Sequence, residues 1–309
     1  MAERSSTKLL IPHSSAPECS ITGVLEQLDA GKSTHGRKIA IILHGSMGHK
    51  DYLFQRRLAQ RLSQDSFRFD FRGNHESPGV WCYGAFQDDV DDLCVVVQYL
   101  QTVYGYVVDM VVGHSRGSIV GMRWLCTAPE ARNVTNFINA SGRYRMNKVL
   151  ESEHLKIWQD GFAADGYYDW TTTVARKPVT VRVHPADVDL FVSWDTSLVW
   201  DKFPANIHVL TIHGLSDKTV PPCALRYFAY LVDTDPPLPG YSYDALIYAR
   251  ALGTRSPGTH TLHMVEDADH NFTGNQDQLV DYMLEWRDLH EQGELKSSGL
   301  WKTGVRGKL

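Results

Sequence analysis

Apolar and polar positions along the chain fall into two alternating rhythms. Lys38 to Leu43 (KIAIIL) is a short, nearly unbroken apolar run, the pattern of a strand buried on both faces. Asp51 to Leu62 then sets Leu53, Phe54, Leu58 and Leu62 at helical spacing. Phe67 to Phe71 predicts the next strand, ended by Arg72-Gly73. Phe86 to Tyr99 predicts a helix, with Asp88 and Asp89 early, where the helix dipole favours negative charge. Tyr106 to Val112 reads as a strand, Ser115 to Leu125 as a helix and Asn133 to Asn139 as a strand. Strand alternating with helix predicts a mostly parallel sheet flanked by helices, an α/β fold.

The rhythm fails from Gly142 to Pro204. These roughly 60 residues are rich in aromatics, Trp158, Tyr168, Trp170, Phe191 and Trp194 among them. Thr180 to Val183 predicts part of a hairpin. The segment reads as a cap inserted over the sheet, whose aromatic side chains pack together and line an apolar pocket. The sheet resumes at His208 to Ile212. Pro221 to Val232 predicts a helix with a proline start. Pro236 to Gly258 reads as a surface excursion with a helical middle. His260 to Val265 predicts the last strand and Gln276 to Leu289 the last helix. The expectation is one domain over residues 1–309, with a cap at about 142–204.

Composition narrows the classes. Hydrophobic residues make up 43% and charged residues 22% of the 309, a globular balance. The net charge of −5 argues against a nucleic-acid partner. The cysteines are Cys19, Cys82, Cys94, Cys126 and Cys223, an odd number with no C-x-x-C pair. Neither a disulfide scaffold nor a zinc ribbon is supported. No stretch approaches the roughly 20 apolar residues of a membrane span, and Met1 to Pro17 has no signal-peptide core. A cytoplasmic protein is expected. Gly307-Lys308-Leu309 is one residue from the S-K-L peroxisomal signal and reads as a basic tail. Neither nucleotide-binding glycine motif occurs, so no cofactor is implied, and no metal set is expected.

Gly113-His114-Ser115-Arg116-Gly117 matches G-x-S-x-G between an apolar strand and a helical stretch. A sharp strand-to-helix turn there exposes the serine oxygen, and small residues two before and two after relieve crowding. In that topology an acid and a histidine follow in order. Asp217 lies in the loop after the strand at His208 to Ile212, and His270 in the loop after the next strand. The loop after Asn139 (Asn139-Ala140-Ser141-Gly142) has no carboxylate, which favours Asp217 as the acid. His260 and His263 resemble metal-ligand spacing, but on a strand they face opposite ways.

HGSMGHKD from His44, DFRGNHES from Asp70, GHSRGS from Gly113, HGLSDKTVP from His213 and DADHNF from Asp267 together resemble the α/β-hydrolase superfamily. The likeness covers most of the chain. It lies toward the serine aminopeptidase and acylglycerol-lipase branch, and within it toward cinnamoyl and feruloyl esterase-like proteins. Ser46 stands where that pattern has Phe, His75 where it has Gly, and Ser118 where it has Gly. Ser46 alters the pocket wall expected for a feruloyl substrate.

The resemblance implies a cofactor-independent serine hydrolase acting on a small-molecule carboxylic ester. Ser115 would be the nucleophile, His270 the base and Asp217 its orienting acid. The backbone N–H groups of Ser46 and Arg116 would form the oxyanion hole. His44 would shape that loop beside the substrate, with Trp158 and Trp194 in the pocket. Thioesters and small amides are open to the same groups. A ligand sensor on a hydrolase fold is the reading from another class; such proteins often lose the nucleophile or base, and Ser115, Asp217 and His270 are all present.

Overall fold

The computed structural model describes residues 4–16, 18–221, 244–297 and 302–303. Nine strands form one sheet in the order β1-β2-β4-β3-β5-β6-β9-β10-β11. They are β1 (Ser5–Pro12), β2 (Ser20–Gln27), β3 (Lys38–Leu43), β4 (Asp65–Phe69), β5 (Val107–His114), β6 (Asn136–Ala140), β9 (His208–Gly214), β10 (His260–Val265) and β11 (Lys302–Thr303). β1 and β4 both run antiparallel to β2, and every other pairing is parallel.

The apolar run of β3 is explained by two cores. Ile39, Ile41 and Leu43 point into one, while Ala40 and Ile42 point into the other. The first core is closed by α2 (Phe86–Tyr104) and α3 (Arg116–Thr127). The second is closed by α1 (Gln55–Arg61) and α8 (Gln276–Glu291), through Leu58, Leu279, Met283 and Trp286. Gly105, at φ 70°, ends α2 in the left-handed conformation that glycine adopts without strain.

Several boundaries differ from the expected ones because buried polar groups interrupt the hydrophobic pattern. β4 starts at Asp65, two residues early. The Asp65 carboxylate accepts from Leu28 N–H, Arg37 and the Tyr106 hydroxyl, so a charged residue is accommodated in a strand. β2 escaped the apolar pattern for a similar reason. Its Glu26 is fully buried and paired with Arg68 at 2.7 Å. The helix expected from Asp51 begins only at Gln55. Leu53 has φ 49°, a turn conformation, and Asp51 accepts from Arg68 at 2.8 Å.

Between β6 and β9 the chain leaves the sheet. It forms α4 (Glu153–Asp165), a hairpin of β7 (Tyr168–Val174) and β8 (Lys177–Val183), α5 (Pro185–Ser193) and α6 (Leu198–Asp201). The Ser152 hydroxyl caps α4 by accepting from Leu155 N–H. The aromatics of this excursion pack on the segment before α2. Tyr83 stacks on Phe191 at 4.6 Å, while Trp158 meets Tyr83 edge-on at 5.0 Å. Trp170 lies against Trp81 at 5.8 Å.

Of the stretch from Pro236 to Gly258, expected as a surface excursion with a helical middle, the described residues begin at Asp244, and they pack into the fold rather than over its surface. Its helix α7 (Asp244–Leu252) buries Tyr248 completely, and Ala245 packs with Leu262 and Met264 of β10. The helix expected at Pro221 to Val232 lies outside the described residues apart from Pro221, as does the Gly307-Lys308-Leu309 tail. Among the described residues no helix is long and apolar enough to cross a membrane.

Gly84 is where the excursion docks. A Cβ there would sit 2.3 Å from the Asp187 carbonyl oxygen and 2.7 Å from Phe191 N, both backbone atoms of α5. Gly84→Ala should therefore push α5 off and cost about 1–3 kcal/mol. Urea unfolding followed by tryptophan fluorescence checks this as a lowered midpoint.

Candidate active site

Ser115 sits between β5 and α3 at φ 52°, ψ −114°, a conformation that L-residues rarely adopt. Its neighbours explain how it is held. A Cβ on Gly113 would lie 2.5 Å from Ser118 N, and one on Gly117 would lie 2.6 Å from the His44 carbonyl oxygen. Glycine is thus required on both sides by backbone contact. The Ser115 N–H donates to Ala140 O at 2.8 Å, and Ser118 N–H returns to Ser115 O. The Ser118 hydroxyl donates to Gly113 O at 2.7 Å, so the departure from glycine at this position adds a tie across the turn.

Ser115 Oγ lies 2.9 Å from His270 Nε2, and His270 Nδ1 lies 2.7 Å from Asp217 Oδ2. The structure brings these three sequence-predicted residues together from loops following β5, β9 and β10. Asp217 is buried, yet its carboxyl is held below the usual carboxylate range. Burial alone would raise it; hydrogen bonds from His213 and His270 outweigh that. Oδ1 accepts from Thr219 N–H and Val220 N–H, each at 2.8 Å. The two loops are also tied directly, through Leu215 N–H to Val265 O and Ser216 N–H to Ala268 O.

His213 is a partner that the sequence reading did not single out. Its Nε2 lies 3.2 Å from Asp217 Oδ2 and 2.8 Å from Val220 O. Its signal is its place four residues before the acid, at the end of β9. His114, the variable residue of the serine motif, is likewise structural. Its Nε2–H donates to the His270 carbonyl at 2.9 Å, fixing the backbone that presents His270.

Arg116 is the first residue of α3, where a helix leaves its N–H groups without intrahelical partners. Its guanidinium is bonded to Asp89 at 2.5 Å and to the Tyr83 carbonyl at 2.6 Å, beneath the rings of Phe86 and Trp81. Burial pushes the Asp89 carboxyl up to about 6, against the pull of Arg116. Ser46 lies half-buried in the turn closed by Gly48 N–H to Gly45 O.

A profile of the Alpha/beta hydrolase family matches residues 40–282, more than half of the chain. The chain belongs to the alpha/beta hydrolase family. It is 27% identical over 265 residues to an uncharacterized protein of Saccharomyces cerevisiae, covering 77% of this chain and 69% of that one. Its fold is similar to that of Est1E from Butyrivibrio proteoclasticus with ferulic acid bound. That match has a TM-score of 0.66 and 16% identity, and covers 92% of this chain and 99% of Est1E. It is also similar to the esterase Pf2001 of Pyrococcus furiosus, at TM-score 0.60 and 14% identity, over 93% of this chain and 90% of that one.

Within this hydrolase, three expected substrate contacts are placed differently from one another. His44 is buried, and both ring nitrogens are used by backbone. Phe71 N–H donates to Nε2 at 3.1 Å, and Nδ1–H donates to Gly45 O at 2.8 Å. With no ring nitrogen left for a substrate, His44 is a support of the Gly45–Gly48 turn, correcting its expected role as a contact. Trp194 also departs from expectation. Its ring lies 4.0 Å from the Arg123 guanidinium and 5.1 Å from Phe86, so its partners belong to α2 and α3 rather than to the loops of Ser115, Asp217 and His270. Trp158 lies among Tyr83, Tyr168 and Trp170.

Asp70, His75 and Glu76 come within 4.8 Å of one another, a spacing open to a metal ion. Lys50 Nζ instead bonds both carboxylates, at 2.7 Å to Asp70, and Lys8 joins Glu76. The positive charge at that cluster is supplied by lysine.

Burial lowers His44 to about 4 and His114 to about 3, so both are neutral at pH 7. Unfolded histidine titrates near 6.5. As pH falls below that value the unfolded chain binds protons that the folded chain refuses, and folding weakens at about 1 kcal/mol per pH unit per histidine. The loss from His44 should level off near pH 4. His44→Asn should be less stable at pH 7 but show a shallower decline between pH 6.5 and 4.5, read from urea midpoints.

Proposed function

We propose that this hydrolase cleaves a carboxylic ester through an acyl-enzyme on Ser115. The observation that carries the reading is the unbroken chain from Ser115 Oγ through His270 to Asp217, at 2.9 and 2.7 Å. His270 Nε2 takes the hydroxyl proton as Oγ attacks the ester carbonyl carbon. The carbonyl oxygen becomes an oxyanion, which the N–H groups of Arg116 and Ser46 receive. His270 then hands its proton to the departing alkoxide oxygen, releasing the alcohol. Water, deprotonated by the same imidazole, attacks the acyl carbon; the carbon–Oγ bond then breaks, Oγ takes that proton back from His270 Nε2, and the acid and free Ser115 result.

Asp217 keeps the proton on His270 Nδ1, so that Nε2 faces Ser115 as an acceptor, and it balances the imidazolium formed during transfer. Two backbone N–H bonds and His213 leave this carboxylate little freedom to turn away. Residues 142–204 are read as a cap over a single hydrolase domain, in line with their packing on Trp81, Tyr83 and Phe86. Ester is preferred over thioester or amide because the structurally similar Pf2001 is an esterase and Est1E was solved with a carboxylic acid, ferulic acid, bound.

A fluorophosphonate probe should label the protein at neutral pH and fail to label Ser115→Ala. Equal labelling of both would remove the nucleophile assignment. Asp217→Asn should lower kcat on an aryl ester by about 10⁴ through the wrong imidazole tautomer, measured in steady state. Near-normal turnover would place the acid elsewhere.

A further inference from the structure

Arg116 follows β5, and Arg143 and Arg145 follow β6, at the carboxyl ends of those strands, and two of the three have their own carboxylate. Arg116 is bonded to Asp89 and Arg145 to Asp244, each at 2.5 Å. Arg143 is only 8% exposed, and among the described residues no carboxylate oxygen lies within ion-pairing distance of it. A guanidinium carries five N–H donors. Here Nη2 donates to the Thr219 carbonyl, two residues past Asp217. A buried cation without a paired anion is costly to a fold, and native proteins retain such groups mainly where something else answers them.

The position of Arg143 is built rather than incidental. It follows β6, whose last residue, Ala140, accepts the Ser115 N–H. Ser141 N–H donates to Ile212 O of β9, and Gly142 has no room for a side chain, since a Cβ would meet Asn139 Oδ1 at 2.2 Å. The Arg143 carbonyl is fixed by the buried Tyr248 hydroxyl at 2.7 Å. The side chain therefore starts beside the strand that holds the nucleophile and ends at the loop of the acid. Tyr83, whose carbonyl binds Arg116, is near enough for Arg143 to act on its hydroxyl. Burial lowers the Arg143 pKa even against the nearby Asp244, Tyr83 and Asp217. Asp244 is occupied by Arg145, and Asp217 by two N–H groups and two imidazoles.

Resting on the Ser115 reading above, we propose that Arg143 is the specificity-determining residue of this site and that it receives a carboxylate carried by the ester substrate. A planar carboxylate matches the fork of one guanidinium. A phosphate dianion would call for a second free cation, and Arg116 and Arg145 are already committed. The carboxylate can belong to the acyl half or to the alcohol half of the ester.

Two matched substrate pairs separate these sources. On the acyl side, 4-nitrophenyl hydrogen glutarate is compared with 4-nitrophenyl hexanoate. On the alcohol side, 4-acetoxybenzoate is compared with its methyl ester. In at least one pair the wild-type ratio of kcat/KM, charged over neutral, should fall on the order of 10- to 100-fold in Arg143→Met. Arg143→Lys, which keeps the charge, should retain more of the ratio. The ratio is internal to each preparation, so partial misfolding does not change it. If wild type and Arg143→Met give the same ratios in both pairs, the proposal is wrong. Fluorophosphonate labelling of each preparation tells the two failures apart. Labelling of Ser115 with unchanged ratios overturns the role of Arg143 alone, whereas no labelling and no turnover overturns the hydrolase reading together with it.

Discussion

The backbone of Ser115 is held at φ 52°, ψ −114°, and the rest of the site depends on that strained turn. Such a conformation costs on the order of 1–3 kcal/mol and persists only where the surroundings over-determine it. Here β5 is paired on both sides, with β3 and with β6. The strand can neither slide nor rotate to relax the turn. α3 then leaves immediately, with Gly117 pressed to the backbone of Leu43 and His44. One consequence is that the Gly45–Gly48 turn, which carries Ser46, is located by the same close approach that locates Ser115. The proposed nucleophile and the proposed oxyanion donors are thus set by a single backbone contact.

Charge is distributed around this turn so that little of it is mobile. His44 and His114 are kept neutral by burial, and their nitrogens serve as hydrogen-bond fixtures for backbone. Asp217 remains ionised because its four hydrogen bonds replace the water it has lost. Arg116 and Asp89 form a buried pair whose removal on one side would leave an uncompensated charge under the aromatic layer. That pair ties α2 and α3 to the segment on which the excursion packs. Residues 142–204 thus pack, through Phe191, on the Tyr83 whose carbonyl holds Arg116, one residue from Ser115.

Sheet and site were legible in the sequence to different depths. β3 and β10 were read to the residue, because both are apolar strands bounded by polar turns. Ser115, Asp217 and His270 stand out by order along the chain and by strand-to-loop position, and the fold brings their side chains within hydrogen-bonding distance. What escaped was polar. β2 and the start of β4 carry buried Glu26 and Asp65, whose partners lie 42 and 28 residues away in sequence. His213 and Arg143 gave no periodic signal, since their meaning comes from residues brought near by the fold. His44 supports the turn it was expected to shape, but with both ring nitrogens on backbone, and Trp194 packs on α2 and α3.

The aromatic richness of residues 142–204 invites an apolar pocket, yet most of these rings are matched to other rings. Tyr83 with Phe191, Trp158 with Tyr168 and Trp170, and Phe86 with Trp194 are ring-to-ring contacts. Aromatic area spent on docking the excursion is not free to recognise a substrate. On the proposal made for Arg143, selectivity lies at the edges of this layer, where Arg143 and Asp217 follow the ends of β6 and β9. If Arg143 receives a carboxylate as proposed, a substrate is distinguished there by charge and hydrogen bonding more than by apolar bulk. Hydrogen-bonding sites discriminate strongly because the wrong ligand leaves buried donors unpaired, whereas an apolar pocket tolerates small changes in chain length.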